Sequence, residues 1–372
     1  MNLRKNEAHW QETDQRWHIF VQSNGIRRHF TSSVGNKKKG KAEAERKADK
    51  WLETQLSGEN QKVEILFNKW IENLKERTQT AYWRQYESYG KNWIKPLIGN
   101  KRMSQLNEND LDKVIASAYK KGLAHKSLCN IRSCLVSFLK YARKCRVTTL
   151  MADDIIIPQN APRGEKKCLS QEEINILLSS EKTTRRGKPC FDFYIYAYRF
   201  LLIEGLRPGE LCGLQWSDID KECYTIRRSI NSLGETTTGK NKNAKRSHAI
   251  GDLSAAILDE QKAMLKKRDM LTPYVFPDFD GTAMRNYNLY TAWKRYCEAN
   301  GIRETTLYEL RHTNFSVNKD MPDAYKKLLF GHSAKFDGGA VYDHMMAGDL
   351  ATAAKMNDDA FRKIVNDAKI GD

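Results

Sequence analysis

Four short segments in the second half of the chain hold the residues best suited to chemistry. The first is Glu204-Gly205-Leu206-Arg207-Pro208-Gly209-Glu210-Leu211, which follows an apolar stretch from Tyr196 to Ile203. The second is the lysine-rich run Thr238-Gly239-Lys240-Asn241-Lys242-Asn243-Ala244-Lys245-Arg246-Ser247-His248-Ala249-Ile250. The third is Thr306-Leu307-Tyr308-Glu309-Leu310-Arg311-His312-Thr313, and the fourth is Leu329-Phe330-Gly331-His332-Ser333, followed by Tyr342-Asp343-His344. Guanidinium groups hold anions bidentately, a lysine can deliver a proton, and a tyrosine can act as a covalent nucleophile. Taken singly, each segment has an ordinary explanation. Arg207 and Glu210, three residues apart, read as a helix-end ion pair, and a basic hairpin is a common exposed feature.

The charge of the whole chain narrows the partner. It carries 63 Lys and Arg against 46 Asp and Glu, a net charge of +17, with a pI near 9.4. Lys and Arg in such excess point to a polyanion, and nucleic acid is the first expectation, because they displace counterions from phosphates. Mean hydropathy is −0.69, and no run approaches the ~20 apolar residues that span a bilayer. No secretory signal opens the chain. The eight cysteines lie between Cys129 and Cys297 without a C-x-x-C pair or zinc-ligand spacing, so reduced thiols and a cytoplasmic location are expected. No phosphate-binding G-x-x-x-x-G-K-[ST] loop occurs.

These segments need a scaffold, and 372 residues call for two or three domains. Trp17, Ile19 and Val21 alternate with His18, Phe20 and Gln22 in the period of two that suits a strand, Ser23-Asn24-Gly25 marks a turn, and Ile26 to Thr31 reads as the returning strand. A helix from Lys41 to Leu56 follows, with Lys37 to Lys41 as a basic loop before it: either a solvated loop or a DNA-groove contact. Beyond a linker at Ser57 to Asn60, four helical stripes run to about residue 148. They are Val63-Leu66-Phe67-Trp70-Ile71-Leu74, Tyr82-Trp83-Tyr86-Tyr89-Trp93, Leu111-Val114-Ile115-Ala118 and Leu128-Ile131-Leu135-Phe138-Leu139-Ala142. The aromatic stripe reads as core. Residues 155–164 read as an extended, exposed connector, and Ser170-Gln171-Glu172-Glu173 as a helix start with a capping box. The remainder reads as mainly helical, with a strand-rich insert near 222–250.

Together, in order and at fitting distances, the four segments resemble the tyrosine recombinase (phage integrase) family. That family carries a G-L-R-x-x-E-L turn, a hairpin lysine, an H-x-x-R-H-T box, an L-G-H box and a C-terminal tyrosine. The resemblance covers roughly 170 to 350. The helical region resembles the family's core-binding domain. More loosely, the N-terminal sheet and helix resemble the arm-type DNA-binding domain of integrases from phages and conjugative transposons. The resemblance implies a multidomain, mainly α chain: a small β-sheet-plus-helix module over 1–58, a four-helix core-binding domain over 62–150, and a mixed, mostly helical α+β catalytic domain over 165–372.

The implied chemistry is strand cleavage and rejoining. Arg207 and Arg311 would clamp the scissile phosphate, Tyr342 would attack phosphorus to give a 3′-phosphotyrosine, and Lys240 would protonate the leaving 5′-oxygen. Lys242 is the alternative register for the general acid. His332 would hydrogen-bond the phosphate or the nucleophile. The energy of the broken bond stays in the phosphotyrosine, so neither ATP nor a metal is called for. Two departures stand out. Tyr308 occupies the place where the family most often has His, and a phenol, with a reference pKa of about 10, is a poor base at neutral pH. Gly338-Gly339-Ala340 stand where family members often have a pair of threonines. His312, His344 and His248 read as structural or surface residues, and Glu210 as an orienting partner of Arg207.

The partners implied are double-stranded DNA at core and arm sites, a homotetramer on that DNA, and an excisionase or DNA-bending protein. Three alternatives use the same scaffold: a regulator that kept the fold and lost catalysis, a type IB topoisomerase, and a housekeeping resolvase. Intact Arg207, Arg311, His332 and Tyr342 oppose the first, and the N-terminal module opposes the other two.

Overall fold

The computed structural model describes residues 4, 6–23, 26–35, 38–56, 61–237, 246–330 and 348–370, which fall into two compact units, residues 1–164 and 165–372. The chain is mainly helical with small sheets, and no helix among the described residues is long and apolar enough to cross a membrane.

The first unit opens with an antiparallel sheet of β1 (His9–Gln11), β2 (Arg16–Ser23) and β3 (Ile26–Ser32), in that order, followed by α1 (Lys38–Leu56). Odd positions of β2 face the helix, as alternation requires. Ile19 and Val21 are buried with Ala44, Ala48, Trp51 and Leu52 of α1. The two-stranded ribbon expected from the sequence has a third strand, β1, whose three residues are too few to show a period. The basic run is also placed differently. Lys38 to Lys41 form the first turn of α1 instead of a loop, and Lys37 lies outside the described residues. Gly40 makes this possible: a Cβ there would lie 2.3 Å from the Val34 carbonyl oxygen and 2.7 Å from Trp17 Cδ1.

The helical stripes become α2 (Val63–Lys75), α3 (Thr80–Tyr89), α4 (Lys95–Ile98), α5 (Glu108–Lys120) and α6 (His125–Lys144), around a core that includes Phe67, Trp70, Leu111, Ile131 and Phe138. The second stripe runs on past Pro96 and ends at Gly99. A π-turn over Gly90–Ile94 carries α3 into α4, where the proline occupies the first turn and needs no N–H partner. The aromatic stripe is only half core: α3 has no fully buried residue, and its Tyr82 hydroxyl donates to Tyr86 at 3.0 Å. The expected exposed connector is corrected as well. Ile155 and Ala161 are buried against the bundle, and the His125 N–H donates to the Pro162 carbonyl at 2.8 Å, although Ile156 is exposed.

The second unit is built on α7 (Gln171–Ser179), β4 (Lys182–Arg185), β5 (Lys188–Phe191), α8 (Ile195–Glu204), α9 (Pro208–Gly213), β6 (Cys223–Ile226), β7 (Ser229–Ile230), β8 (Thr236–Thr237), β9 (Arg246–Ala249), α10 (Asp252–Lys267), α11 (Asn286–Asn300), α12 (Leu307–Val317), α13 (Asp323–Phe330) and α14 (Asp349–Ile370). Ser170 and Glu173 close the expected capping box on α7. Every residue of α8 is buried, including the charged Arg199 and Glu204, which find hydrogen-bond partners there: Arg199 donates to the Leu177 and Ser180 carbonyls, and Glu204 accepts from Tyr224. The last carbonyls of α8 are satisfied from other helices: Asn314 Nδ2 donates to Leu202 and Ile203 at 2.9 and 2.7 Å, and Asn357 Nδ2 to Ile203 at 2.8 Å. The helix stops at Gly205, with φ of 57°, a left-handed conformation that side chains resist.

Candidate active site

The turn after α8 delivers Arg207 to the start of α9. Pro208 supplies a preset first helical residue, and Glu210 caps the turn by accepting the Arg207 backbone N–H at 3.0 Å. The Glu210 carboxylate also accepts Arg207 Nη1 at 2.7 Å. From the adjoining strand β9, Arg246 places Nη1 and Nη2 on the two Glu210 oxygens, each at 3.0 Å. Glu210 therefore sits buried between two guanidiniums. Burial pushes its carboxyl up, but hydrogen bonds and charge from Arg246, reinforced by Arg207, prevail and hold it at about 2.

Arg207 is a third exposed, with a side-chain exposure of 33%, and uses one guanidinium nitrogen on Glu210. Burial opposes its charge, but Glu210, together with a contact to the Tyr308 phenol, raises its pKa above the ordinary arginine value. Tyr308 stands in the first turn of α12, 44% exposed, with its ring edge-on to His312 at 5.2 Å. Burial, and then the charge of Lys166, depress the His312 imidazole.

Arg311 lies one turn further along α12, and only 4% of it is exposed. Its Nη1 donates to the Gly205 carbonyl and its Nη2 to the Phe330 carbonyl, both at 2.6 Å. The guanidinium also lies over the Phe330 ring at 5.1 Å. Burial first, and then the like charge of Arg207, pull its pKa down to about 10. Three arginines and one carboxylate thus leave an excess of positive charge in a partly buried place. An anion would relieve it, and a tetrahedral phosphate presents the two oxygens that two guanidiniums can hold.

Behind this cluster lies a network that the sequence did not reveal. Arg246 Nε donates to His248 Nε2 at 3.0 Å. Arg Nε–H can only donate, so His248 Nε2 accepts and its proton is on Nδ1, which faces Glu204 at 3.4 Å. Glu204 accepts hydrogen bonds from Tyr224 at 2.6 Å and from Ser254. Burial, the largest influence, lowers the His248 pKa and favours the neutral ring. His248, read from the sequence as a hairpin side chain, lies on β9 of the hairpin, buried and stacked on Tyr224 at 5.0 Å. The signal available was the Arg-x-His spacing, which puts Arg246 and His248 on one face of a strand.

The structure brings Arg207, Tyr308 and Arg311 together. Lys240, its alternative Lys242, His332 and Tyr342 lie outside the described residues. The chain on either side is anchored at the cluster: Arg246 follows the lysine run and holds Glu210, while Phe330 precedes Gly331-His332 and holds Arg311.

Residues 167–336 match the phage integrase family, and residues 62–118 match the phage integrase N-terminal SAM-like domain. A tyrosine recombinase XerC-like protein of Caldanaerobacter subterraneus subsp. tengcongensis is 24% identical over 364 residues, covering 87% of this chain and 90% of that protein. The fold is similar to the Tn1549 transposon integrase in complex with circular intermediate DNA (TM-score 0.61, 18% identity, 79% of this chain and 99% of that one). It is also similar to a lambda integrase tetramer bound to a Holliday junction (TM-score 0.59, 15% identity, 92% of this chain and 99% of that one). The two matched regions span more than half of a chain that carries the arginine turn and the R-H-T box in register, and the chain belongs to the tyrosine recombinase (phage integrase) family.

Proposed function

We propose that this site-specific recombinase integrates and excises a mobile DNA element, with Tyr342 as the nucleophile and Arg207, Arg311, Lys240, Tyr308 and His332 as its site. The observation that carries this is the pairing of Arg207 and Arg311. One is a third exposed and pinned by Glu210, the other is buried and held by two carbonyls, and their like charges are left for an anion to neutralise.

In the proposed reaction the two guanidiniums hold the non-bridging oxygens of the scissile phosphate, with the Tyr308 hydroxyl beside Arg207 as a further donor. Tyr342 Oη attacks phosphorus as its proton passes to solvent. The bond to the 5′-oxygen breaks, and that oxygen takes a proton from Lys240. His332 hydrogen-bonds the phosphate or the nucleophile. A 5′-hydroxyl from a second strand then reverses the steps and frees Tyr342, so no external energy source enters. The integrases named above were solved on DNA, one as a tetramer on a Holliday junction. Double-stranded DNA at core and arm sites, a tetramer, and an excisionase or bending protein are the partners proposed here. Residues 1–58 are proposed as the arm-binding domain, 62–150 as the core-binding domain and 165–372 as the catalytic domain. A tethered second contact raises affinity without altering the chemistry.

The test is excision in cells. A plasmid carrying the gene with its native flanking DNA should yield a circular product whose joined ends can be sequenced. Loss of that product in Tyr342→Phe supports the assignment; a circle that still forms there overturns it.

A further inference from the structure

We propose that Arg246 is a positioning residue for strand cleavage: by saturating Glu210 it fixes the Arg207 guanidinium and leaves that guanidinium's charge available to the scissile phosphate. The proposal rests on the functional assignment above and adds a residue that none of the family motifs read from the sequence includes.

The geometry separates Arg246 from the phosphate-binding arginines. Its Nη1 and Nη2 are both committed to Glu210 and its Nε to His248, and its side chain is only 9% exposed. Arg207 spends one guanidinium nitrogen on Glu210 and is a third exposed. With Arg246 in place, each Glu210 oxygen accepts two hydrogen bonds, filling the roughly four acceptor positions of a carboxylate. Glu210 then has no reason to pull Arg207 further from the cleft. Charge works in the same direction. Two guanidiniums around one carboxylate leave a net positive charge, whereas Arg207 alone with Glu210 would be neutralised. Arg246 is itself held from behind by His248, whose buried ring is stacked on Tyr224. It is also the first residue of β9, so the same contact anchors the strand that follows the lysine run.

The test compares the full-length wild type with Arg246→Ala, Arg246→Lys and the double variant Arg246→Ala/Glu210→Gln. The substrates are two suicide duplexes made from the sequenced joined ends, one normal and one with an uncharged methylphosphonate at the scissile position. Arg246→Ala should bind the normal duplex like wild type but form the covalent adduct about 10- to 100-fold more slowly, the scale on which groups that orient a reacting ligand act. Arg246→Lys keeps the charge without the planar fork and should fall between the two. The deficit should shrink on the methylphosphonate duplex, which needs less positive charge. The double variant should recover part of the rate, because no carboxylate remains to cancel Arg207, and it keeps the test open if Arg246→Ala alone does not fold. Wild-type rates in Arg246→Ala would overturn the proposal. So would an equal deficit on both duplexes, or a double variant no faster than the single one. A wild type that forms no adduct on the normal duplex would instead overturn the functional assignment itself.

Discussion

Arg311 is hydrogen-bonded to the backbone of Gly205, its Nη1 donating to that carbonyl at 2.6 Å, on the turn that leads into Arg207. The position of one candidate clamp arginine is therefore set by the chain that carries the other. The planar guanidinium reaches Gly205 and Phe330 at once, and a lysine ammonium cannot reproduce that fork. Arg311→Lys should lower the single-turnover cleavage rate by about 10² or more, the usual scale for losing one transition-state donor. Near-normal cleavage would argue against the clamp.

Gly205→Ala should be destabilising. The residue holds φ of 57°, which costs a side chain about 1–2 kcal/mol. A Cβ there would also lie 2.8 Å from Phe330 Cε1 and 3.1 Å from Asn314 Oδ1. Urea unfolding should show a loss of roughly 2 kcal/mol or more. An unchanged midpoint would mean that the turn accommodates a side chain.

Tyr308 tests how the site manages without the family's usual histidine. As a hydroxyl donor beside Arg207, it should be replaceable by Phe with a loss of about tenfold, one neutral hydrogen bond's worth. Tyr308→His should add a titrating group and make the cleavage rate pH-dependent between about pH 5 and 8. A loss of about 10³ or more in Tyr308→Phe would show that the phenol transfers a proton.

Asp192 predicts a pH dependence of stability. It is buried, and desolvation raises its carboxyl to about 6, only partly offset by the Tyr194 N–H that donates to it at 2.8 Å. The folded state therefore keeps the proton longer than the unfolded chain does. The cost of burying the charged form is absent below about pH 4, grows up to about pH 6, and is complete above that. Asp192→Asn keeps the acceptor oxygen without the charge. Chemical denaturation should find it more stable than wild type by roughly 1–3 kcal/mol at pH 7.5 and equal to it near pH 4. A difference independent of pH would remove Asp192 as its cause.

Much of this architecture is legible in the sequence wherever a period is long enough to read. The stripes of α2, α5 and α6 name their own buried faces, since Leu66, Val114 and Phe138 recur at helical spacing. Ser170 with Glu173, and Arg207 with Glu210, announce helix starts by local spacing alone. Other features depend on contacts that spacing does not encode. The hairpin of β4 and β5 has only four residues in each strand, too few and too polar, apart from Cys190 and Phe191, to show a period. Ile155 and Ala161 are buried by a chain that follows the bundle surface without regular structure. Lys38 to Lys41 become helix because Gly40 fits beneath Trp17. Arg246 and His248 acquire their partners only once β9 lies beside α9 and α8, so their role belongs to tertiary structure.

The central claim is covalent attachment of DNA at Tyr342. Wild-type protein incubated with a nicked suicide duplex of the joined ends should yield a protein–DNA adduct, and peptide mapping should place the DNA 3′-phosphate on Tyr342. Tyr342→Phe should bind the same duplex and form none. An adduct that survives in Tyr342→Phe, or that maps to Tyr308 or Tyr325, contradicts the account.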